Sequence, residues 1–273
     1  MKKVFTYNQV NVSYRVEGKG IVVVLLHGFG ETGTVWDAQI EYLKKYCKLI
    51  VPDLPGSGLS VIPDILINNS EFSTIEYYAS CIHALLIHEQ VNACIMLGHS
   101  MGGYITLAFA DKFSALLKGF GFVHSTAFAD SPEKKINRQR GIELMEKYGG
   151  YSFLKTTTPN LFTTSYKEAE FYKVENLIEE GRFFATPALQ NYYRAMMNRP
   201  DRIAVLKGSK FPVLFIIGEE DVAVPIKDSL TQASIPKISY IHILQDVGHM
   251  GMWEKESLVN DFIEKYISAL QLV

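Results

Sequence analysis

The fold is decided by residues 93–103, which read ACIMLGHSMGG. Residues 93–97 form an apolar run of strand length, and the pattern G-x-S-x-G follows at residues 98–102, before a helical segment at 103–112. Glycine two positions before and after the serine leaves room for a tight turn that bulkier side chains would block. The order strand, sharp turn and helix therefore predicts that Ser100 is presented at a sheet edge as a nucleophile.

Short apolar runs alternate with segments of helical period over most of the chain, which is typical of βαβ units and a mostly parallel sheet. Residues 21–26 (IVVVLL) are apolar on both faces, as a strand covered by helices on both sides should be. We therefore predict an α/β fold with a doubly wound, mostly parallel sheet. Its predicted strands are 3–7 and 10–16, which form an opening hairpin, followed by 21–26, 48–51, 93–97, 119–123, 213–217 and 238–244.

Residues 129–208 interrupt this alternation, because they contain helix signals but no convincing strand. Such a segment, inserted after the sixth predicted strand, predicts a helical lid on an α/β core made of residues 1–128 and 209–273. The predicted caps or first residues of its helices are Ser131, Ser165 and Thr186.

The predicted lid is rich in aromatic residues. Eleven of the 46 residues from 148 to 193 are Phe or Tyr, whereas the whole chain has 15 Tyr and 16 Phe in 273 residues. These rings either pack the lid onto the core or cover a pocket. In the second case they predict a small, mostly apolar substrate.

A serine hydroxyl becomes an effective nucleophile only when a base removes its proton and a third group orients that base. His249 lies in a loop after the last predicted strand and before a predicted final helix at 255–270. Because a doubly wound sheet places its chemistry at the carboxyl ends of strands, His249 is the predicted general base. The other histidines lie on a predicted helix, in or beside strands, or within the serine turn; they are His27, His83, His88, His99, His124 and His242.

The acid that orients the base is expected between the nucleophile and the base, at the end of another strand. Asp221 comes shortly after the predicted strand 213–217 and before a helix that Pro225 is expected to open, so it is the first candidate. The remaining candidates are, in order, Asp246, Glu219 and Glu220.

Attack by the serine produces an oxyanion, which needs hydrogen-bond donors already in place. The backbone N–H of Met101, directly after the nucleophile, is one predicted donor. The sequence HGFG at residues 27–30 follows a central strand and brings a flexible backbone close to the same edge. We expect the second donor there, at the N–H of Phe29.

The motifs that combine in this chain are 27–30 with Trp36, 53–60 (DLPGSGLS), 98–103, Gly218 with Asp221 and Pro225, and Gly248-His249 with Glu254. Together they closely resemble the α/β-hydrolase fold superfamily, especially its small capped members of the esterase, enol-lactonase and C–C hydrolase type. The resemblance covers about residues 20–255. It implies a nucleophile, acid, base and two oxyanion donors at Ser100, Asp221, His249, Phe29 and Met101, respectively.

The resemblance also narrows the chemistry. Haloalkane dehalogenases and epoxide hydrolases of this superfamily carry aspartate at the position of Ser100, so both activities are disfavoured. Lys255 and Glu256 stand where the family often has a proline, which is a minor departure. The resemblance implies hydrolysis of a carboxylic ester-like or lactone bond through an acyl-enzyme.

Similar short proteins include cofactor-free haloperoxidase-like enzymes and hormone or stress sensors. The first alternative to a hydrolase is therefore a ligand sensor with the same fold and with slow or no turnover.

A second alternative comes from Gly28, Gly30 and Gly33, which form a G-x-G-x-x-G pattern after a predicted strand. Asp53 lies 20 residues beyond Gly33, at the distance expected for a ribose-binding acid in an NAD-dependent oxidoreductase. This interpretation leaves the series of serine, aspartate and histidine unexplained. A further point against it is His27, which places a polar ring at the end of the strand, directly at the turn.

Composition excludes several partner classes. The chain has 27 basic and 29 acidic residues, so its formal charge of −2 gives no footprint for nucleic acid or an anionic membrane. The longest early apolar run, residues 21–26, is far below the roughly 20 residues that span a bilayer. Three cysteines without metal-type spacing, Cys47, Cys81 and Cys94, favour reduced thiols in a cytoplasm. We expect a small-molecule substrate, no cofactor and no metal.

Overall fold

Eight strands form one sheet in the computed structural model, which describes residues 1–271. They are β1 (Lys2–Tyr7), β2 (Val10–Glu17), β3 (Val22–Leu26), β4 (Lys48–Pro52), β5 (Cys94–His99), β6 (Leu117–Val123), β7 (Val213–Gly218) and β8 (Ser239–Leu244). Their order is β1-β2-β4-β3-β5-β6-β7-β8, with β1–β2 and β2–β4 antiparallel and the other neighbours parallel. The predicted doubly wound, mostly parallel sheet is confirmed, and each strand overlaps one predicted strand.

The helices that follow or connect these strands are α1 (Asp37–Leu43), α2 (Ile75–His88), α3 (Met101–Phe113), α4 (Pro132–Tyr148), α5 (Gly150–Thr157), α6 (Thr164–Ala169), α7 (Phe171–Glu180), α8 (Thr186–Asn198), α9 (Ile203–Lys207), α10 (Ile226–Ala233), α11 (Gly251–Glu254) and α12 (Glu256–Gln271). Within residues 1–271, none of them combines the length and apolar character that crossing a bilayer requires.

The central strands of the sheet are buried on both faces, which explains the continuous apolar run that β3 shows. Val24 and Leu26 belong to a core shared with α2 and α3, whereas Val23 and Leu25 belong to a second core shared with α1 and α12. All four side chains are fully buried. Burial of one such side chain stabilises the fold by about 1.5–3 kcal/mol. Because successive side chains of β3 point to opposite faces of the sheet, this burial holds the strand between two layers of helices.

The turn between β5 and α3 depends on close backbone approach. Ser100 has φ of +49° and ψ of −114°, outside the regions that ordinary residues adopt. A Cβ on Gly98 would lie 2.2 Å from the carbonyl carbon of Gly102, and a Cβ on Gly102 would lie 2.4 Å from the carbonyl oxygen of Leu26. Both glycines are therefore required by contacts with backbone atoms, which cannot rotate away as side chains can.

Helices α4 to α9 connect β6 to β7, and within the described residues this connection contains no strand. Ser131 caps α4 as predicted, by accepting a hydrogen bond from the N–H of Lys134 at 3.2 Å. The predicted cap Ser165 is wrong. The extended residue Thr163 accepts from the N–H of Tyr166 instead, because Ser165 already lies inside the helix that this contact starts.

We expect Gly102→Ala to destabilise the protein by about 3 kcal/mol or more, because its Cβ would overlap the backbone of a central strand. Gly208→Ala is the matched control. Gly208 has φ of −84°, and the nearest atom that its Cβ would meet lies 3.3 Å away. Thermal and urea unfolding of both variants measures the difference, and equal stability of the two proteins would contradict the tight turn.

Candidate active site

Ser100, Asp221 and His249 lie at one edge of the sheet, just beyond the carboxyl ends of β5, β7 and β8. These strands are parallel, so their carboxyl ends meet at the same edge although the residues are far apart in the sequence. Ser100 is held in place by its backbone: its N–H donates to the carbonyl of Val123 at 3.1 Å. Its own carbonyl accepts from the hydroxyl of Ser125 at 2.6 Å.

His249 and Asp221 form a buried hydrogen bond, in which Nδ1 of the imidazole lies 2.8 Å from Oδ2 of the carboxylate. The other carboxylate oxygen accepts from the backbone N–H groups of Ala223 and Val224, at 2.9 and 2.8 Å. Asp221 therefore cannot rotate freely, and it fixes the proton of the imidazole on Nδ1. This leaves Nε2 as the nitrogen able to accept a proton.

The electrostatics of this pair suit a base. Burial by itself would raise the pKa of Asp221, but His249 and His124 hold this pKa well below its ordinary value. Burial by itself would lower the pKa of His249, but the Asp221 carboxylate raises it above its ordinary value. Asp221 is therefore ionised at neutral pH, and its charge stabilises the imidazolium that forms when His249 takes a proton.

Ser100 and His249 line one cavity of about 130 Å³. Within residues 1–271 the serine hydroxyl makes no direct hydrogen bond to the imidazole, a link that is often long in sites without substrate. The other acid candidates are exposed outside this cavity; they are Asp246, Glu219 and Glu220. The remaining lining residues are Phe29, Glu31, Tyr104, Arg138, Leu161, Tyr193, Met196, Ala223 and Val224.

The two predicted oxyanion donors lie beside this cavity. Met101 is the first residue of α3, so its N–H has no partner within the helix and the positive end of the helix dipole lies there. Phe29 lines the cavity from the loop after β3. Their role as oxyanion donors stays a prediction.

His124 is a residue of the site that sequence reasoning missed. It follows β6 in a left-handed conformation with φ of +51°, and its Nε2 accepts from the N–H of Gly251 at 3.1 Å. The proton of the neutral ring is therefore on Nδ1, which lies 3.3 Å from Oδ2 of Asp221 without good hydrogen-bond alignment. Burial lowers the pKa of His124 to about 4, even though Asp221 opposes this shift. At neutral pH His124 thus faces the carboxylate of Asp221, the candidate acid, as an uncharged N–H group.

The same three residues come close enough to suggest a metal site, since their ligand atoms lie within 4.8 Å of one another. Both imidazoles, however, turn a protonated Nδ1 toward Asp221, and the Nε2 of His124 is occupied by the Gly251 N–H. Hydrogen bonding therefore accounts for the cluster formed by His124, Asp221 and His249.

Glu31 and His99 form a second buried pair that the sequence did not indicate. Oε2 of Glu31 lies 3.0 Å from Nδ1 of His99 and accepts from the N–H of Gly28 at 2.7 Å. Nε2 of His99 lies 2.9 Å from the backbone carbonyl of His249. Both ring nitrogens of His99 thus face acceptor oxygens. Burial would raise the pKa of Glu31, but His99 keeps this pKa below its ordinary value.

Two backbone N–H groups of the glycine pattern at residues 28–33 already donate hydrogen bonds to side chains of the protein. Glu31 accepts from the N–H of Gly28, and Oδ1 of Asp53 accepts from the N–H of Gly33 at 2.9 Å. The other oxygen of Asp53 accepts from the N–H of Leu59 at 3.2 Å. A dinucleotide pyrophosphate would have to displace two carboxylates of like charge, which disfavours the NAD-dependent alternative.

Known proteins resemble this chain in sequence. Pimeloyl-[acyl-carrier protein] methyl ester esterase of Wigglesworthia glossinidia brevipalpis is 27% identical over 228 residues, which cover 78% of this chain and 80% of that protein. An uncharacterized protein of Mycobacterium tuberculosis is 30% identical over 105 residues, but the match spans only 29% of its length.

Solved structures are similar over nearly the whole chain. A thermophilic esterase from Thermogutta terrifontis, described with malate bound, has a TM-score of 0.90 at 27% identity and covers 99% of each chain. The enol-lactonase from Burkholderia xenovorans LB400 has a TM-score of 0.88 at 20% identity, covers 97% of this chain and 100% of its own, and shows the fold alone.

The model of the alpha/beta hydrolase family matches residues 23–262, a span that contains the serine turn, the candidate acid and base, and the helices between β6 and β7. The predicted resemblance is confirmed. The chain is a hydrolase-fold protein with esterases among its relatives, and it belongs to the alpha/beta hydrolase family.

Proposed function

We propose that the protein is a serine hydrolase that cleaves a carboxylic ester or lactone bond of a small molecule through an acyl-enzyme intermediate. The observation that carries this proposal is the buried contact between His249 and Asp221, which leaves Nε2 of the imidazole to act beside Ser100. Esterases among the relatives support the bond type. The three free cysteines are all buried, which is compatible with the proposed cytoplasmic location.

The proposed reaction begins when Nε2 of His249 takes the hydroxyl proton as Oγ of Ser100 attacks the carbonyl carbon. The N–H groups of Phe29 and Met101 stabilise the oxyanion, and Asp221 stabilises the imidazolium. The oxyanion collapses as His249 gives its proton to the leaving oxygen, which produces the alcohol and the acyl-enzyme. His249 then deprotonates a water molecule, which attacks the acyl carbon. When this second oxyanion collapses, His249 returns the proton to Oγ of Ser100, and the acid is released.

The size of the cavity favours a small acyl group in the proposed substrate. The cavity volume is about 130 Å³, and its lining includes the rings of Phe29, Tyr104 and Tyr193. The related esterase from Thermogutta terrifontis is described with malate bound, and malate is a small molecule. A substrate of this size fits the proposed ester or lactone chemistry.

A series of p-nitrophenyl esters from acetate to octanoate tests the proposal. We expect steady turnover that is fastest with the shortest chains, and Ser100→Ala should lower kcat by about 10⁶-fold. The release of p-nitrophenol measures the initial burst and the steady rate. One slow acylation without turnover would identify a sensor, and hydrolysis by Ser100→Ala at the wild-type rate would remove Ser100 from the mechanism.

The role of the acid is tested by Asp221→Asn, which keeps the shape but removes the charge that holds the imidazole. We expect kcat to fall by about 10⁴-fold, as in other serine triads. Asp246→Asn is the matched control, because Asp246 is exposed and its φ of +54° suits asparagine equally well. Equal losses in the two variants would show that Asp221 is not the orienting acid.

The pH dependence tests His249 as the base. Only the neutral imidazole can accept the serine proton, and Asp221 raises the pKa of His249 above its ordinary value. Activity is therefore present above this pKa and is lost as the pH falls through it, so kcat/KM should halve at a pH above about 6.5. Initial rates between pH 5 and 9 at constant ionic strength measure the midpoint. Full activity at pH 5 would contradict this assignment.

A further inference from the structure

A guanidinium group from the connection between β6 and β7 lines the same cavity as the nucleophile and the base. Arg138 belongs to α4, lies with Ser100 and His249 around the cavity, and has a side chain that is 18% exposed. Its guanidinium packs over the ring of Tyr193, with Cζ 5.2 Å from the ring centroid. The aromatic contact holds the charged end of this flexible side chain near the site of reaction.

One edge of Arg138 is anchored, and the other is available. Its Nε donates a hydrogen bond to Oδ2 of Asp130. Within residues 1–271 its two terminal nitrogens make no hydrogen bond. The same Asp130 also pairs with the buried Arg199, whose Nη1 lies 2.8 Å from Oδ1. One carboxylate thus serves two guanidinium groups, and the cluster keeps a net positive charge.

The rest of the cavity does not neutralise that charge. Its lining is otherwise mainly apolar and aromatic, apart from Glu31, Ser100 and His249. Glu31 is already committed to His99 and to the N–H of Gly28. Desolvating a partly buried cation with free donors costs free energy unless an anion binds beside it. The planar guanidinium group matches the two oxygens of a carboxylate, to which it can donate two hydrogen bonds.

We propose that the substrate carries a carboxylate, which the terminal nitrogens of Arg138 bind while Ser100 attacks the ester or lactone carbonyl of the same molecule. This inference rests on the proposed hydrolase function and specifies its substrate class. Because both groups line one cavity of about 130 Å³, the carboxylate lies only a few bonds from the carbonyl. A half-ester of a short dicarboxylic acid has this form. The expected mostly apolar substrate therefore gains one acidic group.

The test compares monomethyl succinate with its neutral isostere, methyl succinamate, by titration of the acid released. The wild-type protein should show a kcat/KM about 10- to 100-fold higher for the half-ester, the range expected for a charge-assisted hydrogen bond. Most of this difference should lie in KM, because the carboxylate is bound equally in the substrate and the transition state. Free succinate should inhibit competitively.

Arg138→Met should remove the preference for the half-ester over methyl succinamate and should weaken the inhibition by succinate. Arg199 still pairs with Asp130 in this variant. Arg182→Met is the matched control, because Arg182 is an exposed arginine that pairs with Glu179 outside the cavity. It should keep the preference of the wild-type protein.

The outcomes separate this inference from the proposed function. Turnover of p-nitrophenyl acetate without a preference for the half-ester by the wild-type protein would overturn the carboxylate site alone. An equal loss of both succinate-derived esters in Arg138→Met would also overturn it, since Arg138 would then only support the structure. Failure of the wild-type protein to hydrolyse any of these esters would overturn the hydrolase function itself.

Discussion

The buried hydrogen bond between His249 and Asp221 is the contact on which the proposed chemistry depends, and two strands position its partners. β7 and β8 bring the two side chains to the same edge, and β5 brings Ser100 to that edge. Two backbone N–H groups hold the carboxylate, so that the carboxylate in turn holds the ring. Preorganisation of this kind lets charge form on the imidazole without rearrangement of the surroundings.

Much of this arrangement could be predicted from the sequence because it depends on order along the chain. Apolar runs located the strands, and the rule that parallel strands share one carboxyl edge selected Asp221 and His249. The same rule would have selected His124, which directly follows β6, had its position at a strand end been weighed as heavily as that of His249. The identity of the helix cap near Ser165 depended on which hydroxyl reached an N–H, and spacing alone does not determine that.

The contacts of Glu31, His99 and Arg138 could not be predicted, because each depends on the direction of a side chain in the folded protein. Glu31 turns inward to His99, so its charge is paired before any ligand enters. Arg138 reaches the cavity from α4, more than thirty residues after the serine, and no motif marks it. In the proposed reaction, the edge of the sheet supplies the reacting groups, and a helix between β6 and β7 supplies the charge proposed to select the substrate.

The central claim is that His249 makes Ser100 nucleophilic, and covalent labelling tests it most directly. A small alkyl fluorophosphonate is incubated with the wild-type protein and with His249→Gln, and intact-mass and peptide mass spectrometry follow the reaction. We expect rapid addition of one phosphonyl group to Ser100 in the wild-type protein and reaction slower by about three orders of magnitude or more in the variant. Labelling at another residue, or equal rates in both proteins, would contradict the claim.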